Sequence, residues 1–150
     1  RPGGAGGAPG TEGGAGPAAA VGGRPGAAAP RAVGGGSGGA RGGAGRGASA
    51  AGGHTIGILS WDDPADANPY VDEPIATGLG HARNALVVMN GDAAIAVDGG
   101  NGTLSELGYA AVYDTPVAGL GTHDVDHVEA VETADAAVRY VERAVGVSGD

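Results

Sequence analysis

The sequence predicts an α/β fold, a Rossmann-like parallel sheet with flanking helices, built from the part of the chain after residue 46. Two observations carry the prediction. Short apolar runs alternate with helical patterns on short connections, the signature of strands crossing over through helices. The runs are also apolar throughout rather than alternating, as suits strands covered on both faces. Three or four strands make a thin sheet, so a front strand–helix–strand unit is expected to be missing or degraded.

The elements follow in order. His54–Leu59 (HTIGIL) is apolar and β-branched and reads as a buried strand. Residues 60–72 (SWDDPADANPYVD) are a polar loop with two prolines, and 75–80 (IATGLG) a short strand or turn. Ala82, Ala85, Leu86 and Met89 fall on one helical face and predict a helix from about His81 to Asn90, stopped by Asn90-Gly91-Asp92. Ala93–Val97 (AAIAV) is a second buried strand. Leu104, Leu107, Gly108 and Ala111 then mark the buried face of a helix ending near Tyr113. Pro116–Leu120 is a third strand. Thr133 is placed to cap a last helix with the stripe Ala134, Ala137, Val138, Val141 and Val145.

Composition divides the chain. Of the first 50 residues, 44 are Gly, Ala, Pro or Arg, with only Val21 and Val33 as large apolar residues. Such a segment buries too little apolar surface to offset the entropy of ordering it. Residues 1–46 are therefore expected to be disordered or mistranslated, since out-of-phase codons in GC-rich DNA yield mainly these residues. A globular domain is expected over 47–146, with a tail at 147–150. The front fifty residues carry a charge of +4 and the remainder −13, which gives the net −9. An acidic, lysine-free globular part suggests a halophilic cytoplasm, and it does not attract nucleic acid over long range. No apolar stretch reaches the ~20 residues of a membrane span. The absence of lysine excludes Schiff-base and pyridoxal-phosphate chemistry and a Walker A loop. The absence of cysteine excludes disulfides, thiol nucleophiles and iron–sulfur clusters.

The main chemical signal is Asp98–Glu106, DGGNGTLSE, between a predicted strand and a predicted helix. Gly99, Gly100 and Gly102 let backbone N–H groups approach an anion, and the helix N-terminus adds about half a positive charge. Thr103 offers a hydroxyl. A tight strand–helix turn needs the same glycines without any ligand, so both readings stand. The second signal is 77–84, TGLGHARN, where Thr77 and Gly78 are expected to join the phosphate- or nucleotide-binding residues and lead toward Arg83. A planar guanidinium at a glycine-flanked helix start suits two phosphate oxygens, or an ordinary ion pair. His81 beside it faces the pocket or serves structure. Trp61 and Tyr70 stack a base or cover the sheet edge. His123-Asp124-Val125-Asp126-His127 has metal-ligand spacing, but an acidic cap before a helix explains it better, and no metal or other cofactor is expected.

GGxGTxxE at 99–106, with an HxRx helix start at 81–84, resembles the LOG-type phosphoribohydrolases, often mislabelled lysine decarboxylases. The run from GGHTIGIL through NPYVD, IATGLGHARNALVV, DGGNGTLSELGYA and PVAGLG is more similar to a prokaryotic sister branch. That branch resembles molybdenum-cofactor carrier proteins and, distantly, DNA-processing protein A. The resemblance implies a nucleotide-binding Rossmann domain, usually a homodimer, acting on a small nucleotide or phosphate-bearing ligand. It implies that Arg83 holds or polarises substrate, that Glu106 serves hydrolysis, and that Gly99, Gly100, Gly102 and Thr103 cradle the 5′-phosphate. The implied activity is hydrolysis of the N-glycosidic bond of a nucleoside 5′-monophosphate, the alternative a non-catalytic carrier or sensor of a ligand such as molybdenum cofactor. Two departures favour the alternative: Asp98 replaces a proline, and HARN replaces a HERK-like segment.

Overall fold

Seven strands pair into one sheet: β1 Ala19–Gly22, β2 Arg31–Gly34, β3 His54–Leu59, β4 Glu73–Ala76, β5 Ala93–Val97, β6 Val117–Leu120 and β7 Val128–Val131. The structure is a computed structural model describing residues 31–35, 48–49 and 52–146, together with the backbone of 19–22. The strand order is β4-β3-β2-β1-β5-β6-β7. β2, β3 and β4 run parallel, as do β5, β6 and β7, whereas β1 is antiparallel to both neighbours, β2 and β5. Only eight residues separate Gly22 from Arg31. A parallel crossover needs a dozen or more, so this connection admits only an antiparallel return. The Rossmann-like expectation thus holds for two three-stranded parallel halves, joined by one reversed strand.

Most of the segment expected to be disordered or mistranslated, and the tail at 147–150, lie outside the described residues. The two pieces that are described as strands, 19–22 and 31–34, form the centre of the sheet. They stand where the front unit was expected to be missing or degraded.

Three α-helices flank the sheet among the described residues: α1 Asn84–Met89, α2 Asn101–Val112 and α3 Ala134–Ala144. Period-two alternation along β5 and β6 distributes them over two faces. Ala94, Ala96 and Val117 pack with Val88 of α1 and with Leu107 and Ala110 of α2. Ala93 and Ala118, on the opposite face, pack with Ala137 and Val141 of α3. Val33 and Ile58 meet Val87 of α1, which extends the first layer over β2 and β3. Alanine dominates the strand side of these contacts, so much of the burial energy comes from the few larger side chains. Fully burying Leu107 alone stabilises the fold by about 2 kcal/mol.

Several details differ from the sequence expectations. The helix expected from His81 begins as a 3-10 turn, Gly80–Arg83, before α1 proper. The buried face of α1 is Asn84, Val87 and Val88, following Arg83, whereas Met89 is exposed. On α2 the buried residues are Thr103, Glu106, Leu107 and Ala110, while Leu104 is exposed. On α3 Ala137 and Val141 are buried, but Val138 faces out. The expected cap is present, with Thr133 Oγ1 accepting from the Ala136 N–H at 3.1 Å. The residues after His127 form the edge strand β7 before that cap, so the His123–His127 segment precedes a strand and not a helix.

Candidate functional site

In open α/β sheets, ligands bind outside the carboxyl ends of the strands, where successive crossovers diverge. Here the chain moves outward from β3 to β4 on one side and from β5 through β6 to β7 on the other. The divergence lies between β3 and β5, and the residues that follow their carboxyl ends build the candidate site.

The glycine loop follows β5. Asp98 donates its N–H to Leu120 O at 3.1 Å, extending the β5–β6 pairing by one bond. Its φ of 51° is left-handed, which Asp tolerates better than most residues. Gly99 has φ 154°. A Cβ there would also sit 3.1 Å from the His123 ring and from Thr103 Cβ, so the backbone favours glycine and the space for a side chain is tight. Gly100 is the extended N-cap of α2, and with no side chain it leaves the helix start without a side-chain cap. Its carbonyl accepts from Leu104 N–H at 3.1 Å and from His123 Nε2, also at 3.1 Å. The first turn of α2 therefore presents backbone N–H groups and partial positive charge, the usual means of holding an anion.

Arg83 is 3% exposed. Its Nη1 donates to Gly35 O at 2.8 Å and to Ile58 O at 2.6 Å, bridging the end of β2 to β3. A Cβ on Gly35 would collide with this guanidinium, so the strand end and the arginine are fitted to each other. The neighbouring Asn84 points to the other half of the site. Its Nδ2 donates to Ser105 Oγ at 2.9 Å, and Ser105 Oγ donates to Gly102 O at 2.7 Å. This chain ties α1 to the glycine loop. Sequence reasoning missed Asn84 as a positioning residue. The signal was available as a polar residue beside Arg83, on a face otherwise occupied by valine.

The sequence-predicted residues fall into two groups. Gly99, Gly100, Gly102 and Thr103 form one continuous turn, and Glu106 lies on the inner face of the same helix, 2% exposed. Thr77 and Gly78 form a separate turn. Both of their N–H groups donate to Trp61 O, at 3.1 and 3.0 Å, and Thr77 Oγ1 donates to Leu59 O at 2.5 Å. Two strands separate β3 from β5, roughly 14 Å at about 4.8 Å per strand. Arg83 bonds on the β3 side, while Asn84 beside it reaches the glycine loop at Ser105 and Gly102, so the start of α1 links the two groups.

The remaining candidates resolve as follows. Trp61 is 58% exposed, and His81 is exposed. The two imidazoles of the 123–127 segment diverge. His123 bonds to Gly100 O, while His127 Nε2 donates to Leu107 O at 2.7 Å. A carbonyl only accepts, so each Nε2 carries the proton in these bonds. Among the described residues no group of three or more His, Cys, Asp or Glu is placed to hold a metal ion. No helix among them is long and apolar enough to cross a membrane.

Outside the site, Asp72 forms a small polar cluster. Its Oδ2 accepts from Thr55 N–H at 2.8 Å and from Thr55 Oγ1 at 3.0 Å, with His54 Nδ1 3.6 Å away. The Thr55 backbone bond, then the Thr55 hydroxyl and the His54 charge, hold this carboxyl below the usual carboxylate range against a smaller desolvation effect.

The chain is similar to several known proteins. A protein of Archaeoglobus fulgidus without an assigned function is 38% identical over 96 residues, 63% of this chain and 63% of that one. The molybdenum cofactor binding protein of the phototrophic bacterium Rippkaea orientalis is 40% identical over 54% of this chain and 49% of its own, with a TM-score of 0.48. The chain thus spans under two thirds of the first of these and about half of the second. The molybdenum cofactor carrier protein of Chlamydomonas reinhardtii superposes with a TM-score of 0.66 at 30% identity, covering 77% of this chain and 78% of that one. The pattern of the SLOG cluster4 family matches residues 6–146, beginning inside the glycine-rich front segment. With the match covering nearly the whole chain, the protein belongs to the SLOG cluster4 family.

Proposed function

We propose that the chain binds and carries a phosphate-bearing small molecule of the molybdenum-cofactor kind, held at the glycine loop Gly99–Thr103, and does not hydrolyse it. The observation that carries this reading is the placement of Arg83. A guanidinium that polarises a substrate must reach it, whereas this one is buried, with Nη1 on two backbone carbonyls. Glu106 is similarly removed from solvent on the inner face of α2. In the glycine loop, by contrast, Gly100 and Asn101 are exposed and the helix start lacks a side-chain cap, although Thr103 is buried. The Chlamydomonas relative, a molybdenum cofactor carrier by name, supports the same choice. The ligand is a small molecule, and the acidic globular part opposes nucleic acid as a partner. A homodimer in the cytoplasm remains part of the proposal.

The loop supplies backbone donors and the helix dipole, both strongest for a dianionic phosphate. Asp98 opposes that charge, which selects against bare inorganic anions held by charge alone and favours a ligand with further contacts.

The test uses the purified full chain with adenosine monophosphate, followed by calorimetry for binding and chromatography for products. Binding without release of adenine is expected. Gly99→Ala should weaken binding at least about tenfold, because it crowds His123 and Thr103 and strains φ. Release of adenine and ribose 5-phosphate that Glu106→Ala abolishes would establish the hydrolase instead.

A further inference from the structure

Ser105 carries a single hydroxyl proton, and its Oγ donates it to Gly102 O at 2.7 Å, one turn back along α2. Toward Asn84 the same oxygen can then only accept. The Asn84 group that faces it at 2.9 Å is therefore the NH2, and the orientation of the amide follows from the bond it must make. Asn84 Nδ2 also stands 3.5 Å from Gly102 O, a longer and weaker contact. The result is a directed chain, from amide to hydroxyl to carbonyl. Asn84 is 4% exposed and Ser105 half-buried, so the amide end of the chain is shielded from water.

The chain ends on the peptide unit that joins Gly102 to Thr103. In a trans peptide the C=O and N–H point opposite ways, and in a helix the N–H points toward the N-terminus. Holding Gly102 O thus aims the Thr103 N–H at the start of α2. The first helical bond runs from Leu104 N–H to Gly100 O, so the Thr103 N–H belongs to the turn ahead of that rung. A donor on the carbonyl also polarises the amide, and bonds in such a chain strengthen one another by roughly 10–30% each. A serine that bonds back to a carbonyl in the preceding turn is common in helices. Here a buried amide from a separate helix stands behind it, which a serine of α2 does not require.

We propose that Asn84 is a positioning residue for anion binding: through Ser105 it fixes and polarises the Gly102–Thr103 peptide, so the loop meets a phosphate with its donors already aimed. The proposal rests on the phosphate-binding reading above. Asn84 does not touch the ligand. It keeps its place because Arg83, its neighbour in the chain, is anchored on Gly35 O and Ile58 O, which holds the start of α1 against β3. The two residues divide the work, one facing the strands and the other the loop. This also accounts for a polar residue on the buried face of α1, whose other members are Val87 and Val88.

The experiment uses the full chain, with adenosine monophosphate titrated by calorimetry and amide NMR of the ligand-free protein. The chains compared are the parent, Asn84→Ala, Asn84→Asp, Ser105→Ala and the double alanine variant. Each alanine variant should weaken binding roughly three- to tenfold, and the double variant little more than the stronger single one, since both break one chain. Without ligand, each should move the Thr103 amide resonance upfield. Asn84→Asp keeps the shape but, when ionised, cannot donate. Its deficit against the parent at the same pH should shrink from about pH 8 to about pH 5, as the buried carboxyl regains a proton and donates again. Asn84→Ala should show no such recovery. Folded variants that bind like the parent, with the Thr103 resonance unmoved, would overturn the proposal and leave the phosphate reading standing. An Asn84→Asp deficit that is the same at every pH would also overturn it. A parent that binds no adenosine monophosphate would refute the phosphate reading and with it the anion role of Asn84, while a Thr103 shift in both single alanine variants would still support the relay.

Discussion

Replacing Arg83 by alanine separates a strand clamp from a ligand group. The guanidinium donates from Nη1 to Gly35 O at 2.8 Å and to Ile58 O at 2.6 Å, and the residue is 3% exposed. Hydrogen bonds from a charged donor contribute about 1.5–3 kcal/mol each, so their joint loss costs about 3–6 kcal/mol. A domain of this size has roughly 5–15 kcal/mol of total stability. At about 4 °C or more per kcal/mol, the variant should melt at least ~12 °C below the parent. Thermal unfolding by circular dichroism measures this, with urea unfolding as a second probe. Arg83→Lys should fall between the two, because an ammonium keeps the charge but not the planar fork. An alanine variant that melts within about 2 °C of the parent yet fails to bind nucleotide would refute the reasoning. The guanidinium would then serve the ligand and not the strands.

Two further outcomes follow from local structure. Thr133→Ala removes the cap of α3 and should lower stability by about 1 kcal/mol, read as a melting shift of roughly 4–8 °C, with glycine at the same position costing less. Asp72 titrates below its ordinary value in the folded chain, so its contribution is present above the unfolded pKa of about 3.9 and is lost as pH falls through the folded value. Asp72→Asn should therefore flatten that acid limb, seen as a gap between parent and variant melting temperatures that narrows only below about pH 4.

The strands at His54–Leu59 and Ala93–Val97 were legible because they are continuous apolar runs bounded by polar or glycine-rich turns. Helix phase was less legible, for one reason in two places. On α1 the hydrophobic pattern selects Ala82, Ala85, Leu86 and Met89, while the buried set is Arg83, Asn84, Val87 and Val88. On α2 it selects Leu104, Leu107, Gly108 and Ala111, while the buried set is Thr103, Glu106, Leu107 and Ala110. Both helices turn polar residues inward at the site, which shifts the apparent stripe by about one position. The edge strand β7, Val128–Val131, escaped notice because VEAV is short and half polar. β1 and β2 escaped because AAVG and RAVG are lost among alanines and glycines. The glycine loop was legible from its motif, but its coupling to Asn84 was not, since that bond joins residues 21 positions apart.

The reversed strand β1 also bears on the order in which the sheet comes together. Each outer half is local in sequence, with β3 and β4 within 54–76 and β5 to β7 within 93–131. The central pairing is not, since Ala19 meets Ile95 across 76 positions of chain. Loop-closure entropy favours contacts between near neighbours and delays distant ones. The two wings therefore assemble first, with β1 already paired to β2 across its short connection, and the β1–β5 pairing closes the sheet last. A ligand seated across the carboxyl ends of both halves would favour that closing step.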